Sequence, residues 1–186
     1  MHRFILTGAP GSGKTAILRQ LELDGFGVVE EAATDVIALA QAQGADEPWL
    51  RPDFTDTVAA LQRRRRLVAD RWLDGPVLFD RSPICTYALA LYLGHTVGPV
   101  LAQELDRIRD ERLYEHRVFF VSGQSFITPT PARRITLAEA RRFERLHAEV
   151  YRQLGYELVT VEPGPVDVRA ARVRTQASTT VELSGF

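Results

Sequence analysis

The chain has 186 residues, of which 45% are hydrophobic and 25% charged, the ordinary composition of one globular domain with a sizeable core. Its net charge of −1 provides no overall field that would attract nucleic acid or an anionic membrane. Cys85 is the only cysteine, which excludes an intrachain disulfide framework and a four-cysteine zinc site. No apolar run approaches membrane length and no signal peptide is recognisable, so we expect a cytoplasmic protein.

The first predicted elements surround a glycine-rich motif. Arg3–Thr7 is typical of a short buried strand, and the apolar spacing from Ala16 to Leu23 predicts a helix. Between them, residues 8–15 fit the pattern G-x-x-x-x-G-K-[ST], which in this strand–loop–helix context indicates a loop whose backbone N–H groups hold the phosphates of ATP. The predicted nucleotide-binding residues are Gly8, Ala9, Pro10, Gly11, Ser12, Gly13, Lys14, Thr15 and Ala16.

Lys14 and Thr15 carry the chemistry of this loop. Lys14 is the only lysine among 23 basic residues, the other 22 being arginine, so a compact ammonium stands only where the β- and γ-phosphates would need one. The hydroxyl of Thr15 would bind Mg²⁺. The alternative, a glycine-rich turn that matches by chance, is disfavoured by the flanking strand and helix.

A second strand is predicted over Gly27–Glu30, followed by a helix over Ala32–Gln43. Glu30 and Glu31 lie where this strand ends, at the edge of an open α/β sheet that binds ligands. A carboxylate there would accept a proton from an attacking hydroxyl, or instead hold a cation or a sugar hydroxyl. Adjacent strand residues point to opposite faces, so at most one of the two glutamates can serve the site.

A long helix follows the loop Ala45–Pro52, with an apolar stripe that extends from Phe54 to Trp72. The run Arg63–Arg66 lies inside it. Four consecutive helical residues point in four directions, so the run predicts a solvated surface, with one arginine at most directed at a ligand, and not a flat basic patch.

The third strand, Val77–Phe79, delivers Asp80 and Arg81 to the same edge of the sheet, and a helix starts at Pro83. Asp80 is placed as a carboxylate that binds Mg²⁺ directly or through water, the alternative being a capping or salt-bridging aspartate. The planar fork of Arg81 would bind a transferring phosphoryl group or a substrate oxygen.

A helix over Pro99–Arg112 leads into a fourth strand, Val118–Val121, and then into the least regular part of the chain. We predict a lid at about residues 122–136. Its arginines, Arg133 and Arg134, would stabilise the charge on the transferred phosphoryl group, unless they are simply exposed loop residues.

The C-terminal part begins with a capping box formed by Thr136 and Glu139, which starts a helix. His147 lies on the apolar face of this helix and is interpreted as a core or hydrogen-bonded histidine. Cys85 is interpreted as a small buried residue and not as a nucleophile. Leu158–Val161 is predicted as the fifth strand. A short helix from Val166 to about Val173 would close the domain.

Strands and helices alternate throughout. This pattern predicts an α/β P-loop NTPase fold, with about five parallel strands, helices on both faces and the arginine-bearing lid before the last strand. Residues 1–174 would form one domain, and the small polar residues 175–186 a flexible tail.

Five stretches occur in an order that resembles the bacterial P-loop family of predicted ATPases, single domains classed as AAA. They are residues 8–15, Val28–Thr34, Phe79–Pro83, Ala132–Ile135 and Arg142–His147. That family is similar to thymidylate and deoxynucleoside kinases and to the ribosylnicotinamide kinase domain of the bacterial NAD regulator, and the likeness extends to about residue 174.

The resemblance implies particular roles. It favours Glu31 over Glu30 as the acidic site residue, because the glutamate before Ala32 matches that of the family. Asp80, Arg81 and Ser82 resemble the Asp/Glu-Arg-Ser signature of nucleoside kinases. Ser122–Phe126 departs from the aromatic or basic acceptor signature of several relatives, so the acceptor is not implied.

The function expected from these features is a Mg²⁺-dependent kinase that transfers the γ-phosphoryl group of ATP to an unidentified small molecule. The alternative is an ATP- or GTP-hydrolysing switch that acts with a protein partner. Guanine specificity is disfavoured because the usual base-reading element needs an additional lysine, and the chain has no asparagine. A nucleic-acid motor is weakest, because the net charge is near zero.

Overall fold

The computed structural model describes residues 1–8, 11–122 and 136–183. Within them the strands are β1 (Arg3–Gly8), β2 (Gly27–Val29), β3 (Val77–Asp80), β4 (Arg117–Val121) and β5 (Glu157–Val161). The helices are α1 (Lys14–Leu23), α2 (Ala32–Ala42), α3 (Phe54–Trp72), α4 (Pro83–Leu93), α5 (Pro99–Glu111), α6 (Leu137–Gln153) and α7 (Val166–Leu183), with one 3₁₀ turn at Pro48–Leu50.

The five strands form one parallel sheet in the order β2-β3-β1-β4-β5. Leu6 of β1 lies opposite Asp80, and Gly8 lies opposite Val121. The chain moves outward from β1 to β2, returns through β3 and crosses to β4, so the carboxyl end of β1 lies at the crevice where open α/β sheets bind ligands. The predicted five-stranded α/β architecture is confirmed.

Alternate residues of the strands build two separate cores, one on each face of the sheet. Phe4 and Leu6 pack with α1 and α7, whereas Ile5 packs with α4 and α6. All three side chains are fully buried. Both faces are therefore covered by helices, as a parallel sheet requires.

The C-terminal helix differs from the prediction. Helix α7 continues to Leu183, so a flexible tail from residue 175 is wrong as far as 183, and residues 184–186 lie outside the described part. Ala170, Val173 and Ala177 are buried in the core that α1 also joins. These small side chains allow α1 and α7 to approach closely, and from residue 174 to residue 180 only Ala177 is buried, so the segment looked polar in the sequence.

The predicted lid, apart from its ends at Ser122 and Thr136, lies outside the described residues. None of the helices that the described residues form has the length and apolarity needed to cross a membrane.

The packing of α7 predicts the effect of a charge at Ala177. Because this position is fully buried, Ala177→Asp should lower the free energy of unfolding by about 2–4 kcal/mol. The neighbouring Ser178 is exposed, so Ser178→Asp should change it by less than about 0.5 kcal/mol. Urea unfolding of both variants measures the difference, and equal effects would contradict a docked helix.

Candidate functional site

The phosphate loop begins at Gly8, which has a φ of 137°. A Cβ on Gly8 would lie 2.1 Å from the carbonyl oxygen of Val121, so only glycine permits this approach to β4. Gly11 and Gly13, with φ values of 80° and 87°, continue the turn, and Gly13 forms the N-cap of α1. The loop therefore leads into the amino end of α1, where free N–H groups attract anions. Ala9 and Pro10 lie outside the described residues.

Lys14 lies across this loop. Its side chain is largely buried, and Nζ donates a hydrogen bond of 3.4 Å to the carbonyl oxygen of Gly8. Thr15 and Ala16 follow in the first turn of α1 and are exposed. The ammonium and the Thr15 hydroxyl thus stand at the same helix end.

Arg169, which sequence reasoning missed, supports the loop from α7. Its guanidinium donates to the carbonyl oxygen of Ser12 at 2.9 Å, and both residues are buried. The hydrogen bond fixes the middle of the loop to a helix 157 positions later in the chain. The only sequence signal is its place beside Ala170 on the apolar stripe of α7.

Asp80 lies at the carboxyl end of β3, opposite Leu6, with 6% of its surface exposed. Its Oδ1 has no hydrogen-bond partner among the described residues. Burial raises the pKa of this carboxyl, and the positive charge of Lys14 only partly opposes the shift. A buried carboxylate oxygen without a partner fits a hard cation, and the Thr15 hydroxyl is a second oxygen ligand of the type Mg²⁺ takes.

Arg81 adopts a left-handed backbone conformation with a φ of 70°, unusual for a residue with a side chain. Its N–H donates to the carbonyl oxygen of Leu6 at 3.0 Å. Its Nε donates to Oε1 of Glu31 at 2.6 Å, and Thr34 Oγ1 donates to Oε2 of the same carboxylate at 3.0 Å. The turn therefore directs Arg81 across the crevice toward β2.

Glu31 is ionised at neutral pH. Burial alone would raise its pKa, but the charges of Arg81 and Lys14 and the Thr34 hydrogen bond outweigh burial and lower the pKa of this carboxyl. Glu30 is exposed and forms an ion pair with Arg19. Only one of the two glutamates therefore meets Arg81, and it is Glu31.

The consecutive arginines of α3 point in different directions, as the geometry of a helix requires, and have different partners. Arg65 donates to the carbonyl oxygens of Glu30 and Glu31 at 3.0 and 2.7 Å. Arg66 is buried and pairs with Asp70 at 3.0 Å. Arg65 thus holds the backbone at the end of β2 in place, a contribution that the sequence left open.

A cavity of about 370 Å³ opens beside Glu31 and Arg81, within the size range of small-molecule sites. It lies between α2, α3, α4 and α6. Apart from Glu31 and Arg81, sequence reasoning missed its lining, because the other residues come from separate elements and carry no motif. The aromatic members are Trp49, Phe54, Tyr92 and Phe143, and the polar ones include Glu47, Gln62, Thr86 and Glu139.

His147 lies behind the site and is fully buried. Its Nε2 is 3.1 Å from Oγ1 of Thr7, and its Nδ1 has no partner among the described residues. Burial, together with the charges of Arg81 and Lys14, holds the pKa of this imidazole well below its usual range. His147 is therefore neutral, in agreement with its interpretation as a core residue.

The predicted lid arginines, Arg133 and Arg134, lie outside the described residues. Within the part that is described, no three His, Cys, Asp or Glu side chains are grouped to hold a metal ion. The arrangement suits a cation that shares its coordination with phosphate oxygens and one or two protein ligands.

A family model described as an AAA domain matches residues 3–169. No curated protein matches the sequence significantly. Among solved structures, the deoxyadenosine kinase from M. mycoides with bound dATP is 12% identical, with a TM-score of 0.63 and coverage of 95% of this chain and 98% of that one. The thymidylate kinase from Ehrlichia chaffeensis is 15% identical, with a TM-score of 0.61 and coverage of 94% and 98%. The chain shares the fold of these kinases.

The buried imidazole predicts a pH dependence of stability. The pKa of His147 is lowered from its ordinary value of 6.5. Below pH 6.5, His147 therefore binds a proton in the unfolded chain but not in the native protein. Its contribution to stability is therefore complete above pH 6.5 and is lost as the pH falls. We expect an added slope of up to about 1.4 kcal/mol per pH unit.

Urea unfolding of the wild type and of His147→Gln between pH 5 and pH 7.5 measures this slope. The glutamine amide can still reach Thr7 but does not titrate, so the variant should lose the added slope. Parallel curves for the two proteins would show that the imidazole is not buried in its neutral form.

Proposed function

We propose that this chain, which belongs to the AAA domain family, is a kinase that transfers the γ-phosphoryl group of ATP to a hydroxyl of a small molecule. The observation that carries the proposal is the Glu31–Arg81 pair, whose bonded atoms lie 2.6 Å apart in the lining of an aromatic cavity, with Glu31 close enough to Lys14 to be affected by its charge. In a phosphoryl transfer, the carboxylate would accept the proton of the attacking hydroxyl, and the guanidinium would stabilise charge on the transferred group.

The donor nucleotide would lie on the phosphate loop. The N–H groups at the amino end of α1 and the Lys14 ammonium would hold the phosphates, with Arg169 keeping the loop in shape. Thr15 and Oδ1 of Asp80, which has no hydrogen-bond partner in the described part of the chain, would hold Mg²⁺, which would neutralise charge on the phosphate oxygens.

On the acceptor side, Glu31 would accept the proton of the attacking hydroxyl. The hydroxyl oxygen forms a bond to the γ-phosphorus while the bond to the β-phosphate oxygen breaks, and ADP leaves with that electron pair. Arg81 would stabilise negative charge on the transferring oxygens. From the sequence we assign Arg133 and Arg134 of the lid the same role.

The acceptor would be a ring compound with a hydroxyl group and no phosphate. A phosphate monoester is already ionised and needs no base, and Glu31 would repel it. Glu47 and Glu139 add negative charge to the described lining, and the aromatic side chains suit a flat ring. Nucleosides are the first probes, since one of the fold neighbours is a deoxyadenosine kinase.

A second candidate is an ATPase that acts with a protein partner. It is favoured by an exposed apolar surface on α3, formed by Leu67, Val68 and Trp72, of which Trp72 is 74% exposed. In that case ATP turnover would be stimulated by a protein and not by a small molecule.

The two candidates are separated by following ADP release from Mg·ATP with nucleosides, the matching 5′-monophosphates and hydroxylated metabolites. A kinase is supported if one hydroxyl compound stimulates release and carries the phosphate afterwards. Transfer to a monophosphate but not to its nucleoside would contradict the assigned acceptor, and stimulation by a protein alone would contradict the kinase.

Glu31→Gln should lower the turnover number for phosphoryl transfer by about a hundredfold or more, because the amide cannot accept a proton. Glu30→Gln is the matched control, since Glu30 is exposed and pairs with Arg19. Its turnover should stay within about twofold of the wild type, consistent with the small worth of exposed ion pairs. Steady-state kinetics at saturating Mg·ATP compares them, and equal losses would refute the assignment of the base.

Lys14→Ala should weaken Mg·ATP binding at least about tenfold, because a charge-assisted hydrogen bond to phosphate is lost. Arg172→Ala, which removes an exposed positive charge from α7, should leave the dissociation constant unchanged. Titration calorimetry measures both. Unaltered affinity in a folded Lys14→Ala protein would remove the loop as the nucleotide site.

A further inference from the structure

We infer that helix α6 positions the catalytic machinery from behind, with Tyr151 setting the turn that carries Arg81 and His147 holding the strand that leads into the phosphate loop. This inference rests on the proposed function, because it concerns how that site keeps its geometry. It is carried by a group of buried polar contacts that the transfer chemistry itself does not use.

Tyr151 is fully buried, and its hydroxyl lies against Ser82, the N-cap of α4, and Cys85, in the first turn of α4. The hydroxyl oxygen is 2.8 Å from Oγ of Ser82 and 3.0 Å from Sγ of Cys85. Ser82 Oγ also accepts from the N–H of Ile84 at 3.2 Å, which caps α4. Tyr151 therefore fixes the residue that directly follows Arg81.

The conformation of Arg81 needs such support. A left-handed backbone costs free energy for a residue with a side chain, and it persists only where the surroundings determine it. On one side the N–H of Arg81 is held by the carbonyl oxygen of Leu6 at 3.0 Å. On the other side Ser82 is held by Tyr151. The direction of the guanidinium toward Glu31 therefore depends on both contacts.

His147 extends this support to the phosphate loop. Its Nε2 lies 3.1 Å from Thr7 Oγ1, which is in turn 3.1 Å from Sγ of Cys85. Thr7 directly precedes Gly8, whose carbonyl oxygen accepts the hydrogen bond from Lys14. Helix α6 is thus hydrogen-bonded both to β1, which leads into the phosphate loop, and to the start of α4, directly after Arg81.

The same face of α6 reaches the acceptor cavity. Glu139, Phe143, His147 and Tyr151 follow at intervals of four residues and so form one stripe. The rings of Phe143 and His147 lie 5.1 Å apart, and those of His147 and Tyr151 lie 5.6 Å apart. Glu139 and Phe143 line the cavity. The stripe therefore joins the acceptor side of the site to its support.

A double-mutant cycle on unfolding tests the positioning role without any substrate. Glu31 bonds to the guanidinium of Arg81, whereas Tyr151 bonds to the next residue, Ser82. If Tyr151 positions Arg81, Glu31→Gln should lower the free energy of unfolding less in the Tyr151→Phe variant than in the wild type. The reason is that Tyr151→Phe has already weakened the ion pair between Arg81 and Glu31. The unfolding constant of the double variant should then fall short of the product of the single effects by at least about fivefold.

Tyr156→Phe is the matched control, because this ring packs on Tyr151 and its hydroxyl takes no part in the network. In the double variant Tyr156→Phe/Glu31→Gln, the change in the unfolding constant should equal the product of the two single changes. Independent effects of Tyr151→Phe and Glu31→Gln would overturn the positioning role, whatever the chain catalyses. Absence of any phosphoryl transfer would instead count against the proposed function.

A pH profile of turnover gives the readout that a merely structural residue would not change. Arg81 helps to hold the pKa of Glu31 low. When Tyr151→Phe loosens Arg81, the acid limb of the profile should move to higher pH, while the dissociation constant of Mg·ATP stays within about twofold. With the acceptor found by ADP release, an unmoved limb would overturn the inference.

Discussion

The contact between the guanidinium of Arg81 and the carboxylate of Glu31, 2.6 Å long, is the interaction on which the site depends. It joins the end of β2 to the end of β3, and both side chains line the aromatic cavity. Because both side chains are largely withdrawn from water, neither charge is tolerated without the other. The pair therefore fixes the orientation of two functional groups at once, and it does so only while the strained turn at Arg81 is held.

The surroundings of the two carboxylates in the crevice shift their pKa values in opposite directions. Asp80 is buried with an oxygen that lacks a described partner, and its pKa is raised; Glu31 is buried against Arg81, and its pKa is lowered. Divergent environments of this kind separate the roles of two acidic groups in one site. Asp80 gains most from an added cation, because Mg²⁺ would replace its missing partner. Glu31 already has its cation and keeps a lone pair for a proton.

Local sequence signals were sufficient for the groups at the ends of strands. A buried strand followed by glycines or by Asp80 and Arg81 places those residues at the carboxyl edge of a parallel sheet whatever the details of packing. Contacts between distant segments left no such signal. The hydrogen bond from Arg169 to Ser12 spans 157 positions, and the cavity around Trp49 draws on four helices. The extension of α7 was missed for a related reason, because alanines that let two helices approach look the same as alanines in a polar tail.

The buried hydrogen bonds of Tyr151 and His147 on α6 are better explained by the positions they give to neighbouring residues than by a gain in stability. Polar groups taken out of water must recover their hydrogen bonds from one another, and a phenylalanine at position 151 would bury as much surface without that requirement. Moreover, Nδ1 of His147 has no described partner, so the network carries a cost that apolar packing would avoid. Polar contacts add directionality. The hydroxyl of Tyr151 fixes the position of Ser82, and the imidazole of His147 fixes that of Thr7, whereas nonpolar contacts would fix these positions only loosely. A site that holds charged groups at set distances gains from that directionality, and helix α6 is the element that supplies it.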